Sequence, residues 1–141
     1  MGKEQMCFRA YYDALLYDEN NIPVLNNYAY YLSLTGRGLD KALTMAHLAM
    51  SLDKSNATYI DTCAWVLYKM GRYEEAKKLM LRALSLDGQR DADLLAHYGD
   101  ILWALGERFM AETYWKKAID KGYDKATMEK HIKELKGEDG K

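Results

Sequence analysis

The 141-residue sequence holds one proline, two cysteines and no surplus of either charge. A single proline argues against a turn-rich sandwich and for long uninterrupted helices. The two cysteines, Cys7 and Cys63, make neither a disulfide framework nor a metal-ligand spacing, and both sit among apolar residues. Twenty basic residues against 21 acidic ones give a formal charge of −1, which rules against a strongly basic nucleic-acid binder. The longest uncharged stretch, Asn20 to Gly36, carries four asparagines and the proline, so it is no membrane span. No basic start leads into an apolar run and a small-residue cleavage site. Glycine-rich phosphate loops are absent, because Gly36-Arg37-Gly38 reads only as a turn. What remains, at 49% hydrophobic and 29% charged residues, has the make-up of a globular, helical chain with room for one domain.

A repeat runs through the chain. Gly36, Gly71 and Gly106 stand 35 apart. The same period carries Leu25, Ile60 and Leu95; Ala29, Ala64 and Gly99; and Leu32, Leu67 and Leu102. A further series runs Ala14, Ala49, Ala83 and Ala118. Within each unit the apolar residues recur at helical spacing, as in Ile60, Cys63, Ala64 and Leu67. A glycine ends that helix, and a second amphipathic helix follows, with Tyr73, Ala76, Met80, Ala83 and Leu84 as its inward stripe. Each unit is therefore a helix–turn–helix, and stacked copies share one core.

In these residues the sequence resembles the tetratricopeptide repeat. The family's core places hold Ile60, Cys63-Ala64, Leu67, Ala76, Met80 and Ala83 in the middle unit. They hold Leu95, Tyr98-Gly99, Leu102, Ala111, Trp115 and Ala118 in the next, and Leu25, Tyr28-Ala29, Leu32, Ala42, Ala46 and Ala49 in the first. The family's closing proline is missing, with Lys54 and Gly88 in its place. Stretches 61–68 and 97–106 look most like multi-repeat bacterial proteins. The resemblance implies an all-α, right-handed α-solenoid with a C-terminal capping helix. It divides residues 1–141 into a half repeat at 3–19 (second helix only), repeats at 22–54, 57–89 and 92–121, and a cap at 124–136. The half repeat is apolar over much of its circumference, a poor terminus for a solenoid. The expectation is that the array is part of a longer chain, or that Phe8, Tyr11, Tyr12 and Leu16 form a self-association face and a homodimer.

The resemblance also implies that first helices line a concave groove that accepts an extended peptide or a helix. Its groove places fall at Asn26, Asn27, Tyr30 and Ser33, then Asp61, Thr62, Trp65, Tyr68 and Lys69, then His97, Asp100 and Trp103. Aromatic rings beside amides favour apolar or aromatic side chains and extended backbone, while Asp61 and Asp100 beside Trp65 and Trp103 would suit a basic side chain. Packing between repeats is an equally good use for the two tryptophans.

Catalysis is not expected. Asp61, His97 and Asp100 could meet as raw material for acid–base work, but the nearby Cys63 occupies a core place. His47 and His131 have no second metal ligand at a suitable spacing. No cofactor is called for, nucleic acid is disfavoured, and the sequence carries no signal choosing between a bacterial cytoplasm and cell envelope. The expected function is a non-catalytic scaffold that binds a protein or peptide. The alternative is a structural, self-assembling segment of a larger repeat protein with an empty groove.

Overall fold

In a computed structural model, residues 9–15, 18–86 and 90–139 are described. Among them are only helices: α1 (9–15), α2 (Ile22–Thr35), α3 (Leu39–Leu52), α4 (Ala57–Lys69), α5 (Tyr73–Ser85), α6 (Ala92–Ala104), α7 (Arg108–Asp120) and α8 (Lys125–Asp139). They fall into two compact units, Met1–Leu86 and Asp87–Lys141.

The first helix of each pair begins where a short polar side chain caps it. Asn21, Asn56 and Asp91, each 35 residues from the next, open α2, α4 and α6. Asn56 Oδ1 accepts from the backbone N–H groups of Thr58 and Tyr59 at 3.0 and 3.3 Å. Asp91 Oδ1 does the same for Asp93 and Leu94 at 3.0 and 3.2 Å. Such a cap satisfies donors that have no partner inside the helix. Pro23 sits in the first turn of α2, where its missing N–H costs least. The same three helices end at glycines in a left-handed conformation, Gly36, Gly71 and Gly106. Gly71 has φ +80° and Gly106 has φ +84°, and the next residue's N–H turns back to Leu67 or Leu102 at 2.9 Å. A side chain with a Cβ is strained at that φ.

In the first unit α2 pairs with α3 and α4 with α5, while α3 and α2 both lie against α4. Leu25, Ala29 and Leu32 meet Ala42, Met45, Ala46 and Ala49, together with Cys63 and Val66. The alanines are wholly buried, and their small size lets the helix axes approach. Tyr11 and Leu15 of α1 pack against the edge of this core.

In the second unit α6 pairs with α7, and α8 lies on α7. Gly99 of α6 faces α7 with the Trp115 ring laid directly over it. Tyr98 meets Tyr114 edge-on at 4.6 Å. Helix α8 starts like a first helix. Asp124 Oδ2 accepts from Thr127 N at 2.9 Å, and Met128, four residues after this cap, is fully buried. Leu25, Ile60 and Leu95 stand four residues after their own caps. Burying a side chain of this size contributes roughly 1.5–3 kcal/mol.

Candidate interaction surface

The first unit carries nine of the groove places. Asn26, Ser33, Asp61, Thr62 and Trp65 are buried, while Asn27, Tyr30 and Lys69 are exposed and Tyr68 is half-buried. Several of the buried ones are used by their own helix. Ser33 Oγ donates to the Tyr30 carbonyl, and Thr62 Oγ1 to the Thr58 carbonyl at 3.2 Å. Trp65 stacks on Tyr68 with ring centres 4.7 Å apart, and Lys69 Nζ lies 5.3 Å above the indole. Cations over indole faces are held by the ring quadrupole. Asn26 is different. The residue is 7% exposed, and its Oδ1 has no hydrogen-bond partner. A buried amide oxygen left in that state costs about 1–3 kcal/mol.

Of the residues expected to self-associate, Tyr11 stacks on Tyr28 at 5.4 Å and meets Tyr31 edge-on at 6.3 Å, so it is engaged within the unit. Tyr12 is 53% exposed. Phe8 and Leu16 lie outside the described residues, as do Cys7 and Gly88.

The second unit carries His97, Asp100 and Trp103. Asp100 is buried and engaged: its Oδ1 accepts from Trp115 Nε1 at 2.9 Å, and both oxygens lie 2.8 Å from His131 Nε2. Trp103 is 9% exposed, packed 5.5 Å from Trp115 and covered by the Arg108 guanidinium at 3.9 Å. Asp100 is thus bound to α8 through His131. Nothing in the first-helix pattern marks His131 as a neighbour of Asp100 or Arg108 as a neighbour of Trp103, since they come from other elements. One signal was nonetheless in the sequence. His131 stands seven residues after its cap, the place that Tyr28, Cys63 and Tyr98 hold in the other first helices. A histidine in a core place calls for a buried polar partner.

Burial pushes the Cys63 thiol up to about 12, which leaves it protonated and inert as a nucleophile. Among the described residues no three His, Cys, Asp or Glu side chains are grouped to hold a metal. A pocket of about 330 Å³ opens beside α7, lined by Leu95, Lys117, Asp120 and Lys121, none of them a groove place. No described helix is long and apolar enough to cross a membrane.

A family model described as tetratricopeptide repeat matches residues 57–90, which span α4 and α5. Solved structures of such repeats match most of the chain's length. Residues 57–90 thus match a tetratricopeptide repeat, and the chain shares its fold with tetratricopeptide-repeat structures. YrrB, described as a TPR protein with an unusual peptide-binding site, is 26% identical over 84% of this chain and 60% of its own, with a TM-score of 0.68. MamA from Desulfovibrio magneticus RS-1 is 14% identical over 85% and 67%, with a TM-score of 0.71. PilF of Pseudomonas aeruginosa is 23% identical over 84% and 53%, with a TM-score of 0.67. The chain thus spans between half and about two thirds of the length of these structures. No curated protein sequence matches it significantly. Tetratricopeptide folds are protein-interaction scaffolds and are generally non-catalytic.

Proposed function

We propose that this tetratricopeptide chain is a non-catalytic scaffold that holds an extended peptide segment on the α2–α4 face of its first unit. The observation that carries the reading is Asn26. Its buried, unpartnered Oδ1 stands at the same repeat place on α2 as Asp61 on α4, and the two helices are in contact. A backbone N–H laid along this face, with the Asn26 amide turned outward to meet it, would satisfy the oxygen and return up to the roughly 1–3 kcal/mol its isolation costs. Asn27 and Tyr30 flank it with exposed surface, and Tyr68 and Lys69 extend the strip onto α4. An amide and a phenol recognise backbone without demanding a side-chain sequence, while the rings reward apolar or aromatic residues in the peptide.

The reading is tested by selecting peptides from a displayed random library with the full chain, then measuring them by calorimetry. Asn27→Ala and Tyr30→Ala change exposed positions and should leave the melting temperature within a few degrees. Each should weaken the selected peptides about tenfold, equivalent to about 1.4 kcal/mol. Failure to select any peptide, or peptides that bind both variants as well as the parent, would refute it.

A second reading is favoured by one observation, the 53% exposure of Tyr12 on a helix whose other ring is packed inward. There the chain self-assembles through α1. Sedimentation velocity of Tyr12→Lys against the parent separates the two readings, because peptide capture at α2–α4 is indifferent to that change.

A further inference from the structure

Helix α8 is held to the second unit by little apolar surface. Met128 is its buried residue among those described, and Ile132 and Leu135 are only half-covered. An exposed ion pair, Lys136 Nζ to Glu112 Oε1 at 2.7 Å, adds one tie. The other tie is of a different kind. His131 from α8 and Trp115 from α7 converge on the carboxylate of Asp100 from α6, whose side chain is 6% exposed. The imidazole itself remains 36% exposed, so protons reach it from solvent. We propose that the Asp100–His131 contact is a proton-dependent latch, in which imidazolium clamps α8 onto α6 and α7 and loss of its proton loosens the helix.

The chemistry follows from where each charge sits. A buried carboxylate is costly unless a cation or several donors compensate it. Trp115 Nε1 supplies one neutral donor. Protonated His131 supplies a second donor and the missing charge, whereas neutral His131 can supply the donor alone. The titratable groups around the ring come from each neighbouring element. Helix α6 presents Asp100 and His97 and α8 itself presents Glu134, while Glu112 of α7 is paired with Lys136. Tyr123, in the segment before α8, feels Asp93, Asp100 and Asp124, and its hydroxyl is held above its ordinary range, mainly by burial. The hydrogen bond to Asp100 is the largest influence on His131 and raises its pKa above the ordinary 6.5. Asp100 and Glu134 add to that as charges, while burial and His97 oppose it. For a group raised in the folded state, the stabilisation is complete below the unfolded value and fades as pH climbs through the folded one. The latch is therefore closed on the acid side and releases toward alkaline pH. Release frees the α6–α7 surface around Trp115, and with it Trp103, which Lys136 of α8 approaches at 5.8 Å.

The test is a pH titration of the full chain by NMR, following the His131 Hε1 resonance and amide exchange along 125–137. Protection in α8 is taken relative to α6 after correction for intrinsic exchange. The expected result is a His131 midpoint above 6.5, with relative α8 protection falling up to tenfold per pH unit in the window between the free and latched midpoints. Asp100→Asn should bring the midpoint back to 6.5 or below. His131→Gln keeps a donor but cannot titrate, and should flatten the pH dependence of α8 protection. Because His131 is one-third exposed, that variant keeps the test decisive even if Asp100→Asn fails to fold. A parent midpoint at or below 6.5 would overturn the proposal, as would an unchanged pH dependence of α8 in His131→Gln.

Discussion

Gly99→Ala should destabilise the second unit, against the usual benefit of replacing a helical glycine. In an exposed helix interior, alanine gains up to ~1 kcal/mol over glycine. At Gly99 a Cβ would lie 2.4 Å from both Cδ1 and Nε1 of Trp115 and 3.1 Å from its Cε2. These are ring atoms of a fully buried side chain, not the loose end of a flexible one. Relieving the clash means moving the indole, and overpacking of this kind costs about 1–3 kcal/mol. The same movement strains the bond from Nε1 to the Asp100 carboxylate, and a hydrogen bond to a charged group contributes about 1.5–3 kcal/mol. Set against the propensity gain, the net loss should be about 2–4 kcal/mol. For a unit of this size that lowers the midpoint by about 10 °C or more, at roughly 4–8 °C per kcal/mol.

Urea and thermal unfolding read by tryptophan emission would measure this, since Trp103 and Trp115 both belong to the affected unit. Gly137→Ala is the matched control. That glycine lies in α8, a Cβ there meets nothing within 4 Å, and the change should stabilise by a few tenths of a kcal/mol, up to ~1. Trp115→Phe removes the ring edge that the new methyl would strike. In that background Gly99→Ala should cost at least ~1 kcal/mol less than in the parent, a coupling that independent sites do not show. If Gly99→Ala stabilised as Gly137→Ala does, or cost the same with and without the indole, the steric reasoning would be wrong.

Other outcomes follow from single contacts. In a Cys7→Ser background, Cys63 should resist a thiol reagent at pH 8 in the folded protein and react at once in denaturant, because its thiol titrates only at about 12. Asn56→Ala strips the cap from two N–H groups of α4 and should cost about 1 kcal/mol, read as a lower melting temperature. Arg108→Gln removes the cation over Trp103 and should cost roughly 0.5–1 kcal/mol while shifting the indole emission.

The fold could be read from the sequence because its governing constraint is periodic. A core place must be small or apolar in every unit, so Ala29, Ala64 and Gly99, or Leu32, Leu67 and Leu102, repeat in register and are all buried. The capping series Asn21, Asn56 and Asp91 has the same period and is just as visible, although the apolar ladders draw attention from it. The candidate surface was less legible. Helical geometry places Asp100 and Trp65 off the core stripe of their own helix, but it cannot say what neighbouring elements bring to that side. Asp100 is claimed by an indole from α7 and an imidazole from α8, and Ser33 by its own backbone. These are contacts between particular side chains, and a period averages over them.

The contrast between the two kinds of place explains how one architecture can carry different chemistry along its length. At the second-helix place, Ala46, Met80 and Trp115 grow in size, while the facing first-helix place runs Ala29, Ala64 and Gly99. The largest residue thus stands opposite the smallest, and Trp115 fits because Gly99 has no Cβ. At Gly99 and Trp115 the missing Cβ makes the room that the ring fills, as close packing requires. The off-stripe series Tyr30, Trp65 and Asp100 obeys no such rule: an exposed phenol, a buried indole and a buried carboxylate occupy one repeat place. Only the last is a charge, and it accepts hydrogen bonds from both Trp115 and His131. The indole that fills the core at Trp115 thereby supplies one of the donors that let a carboxylate be buried beside it. A latch at Asp100 therefore depends on a glycine one residue earlier, and the pH response of α8 should weaken in Gly99→Ala even where the unit remains folded.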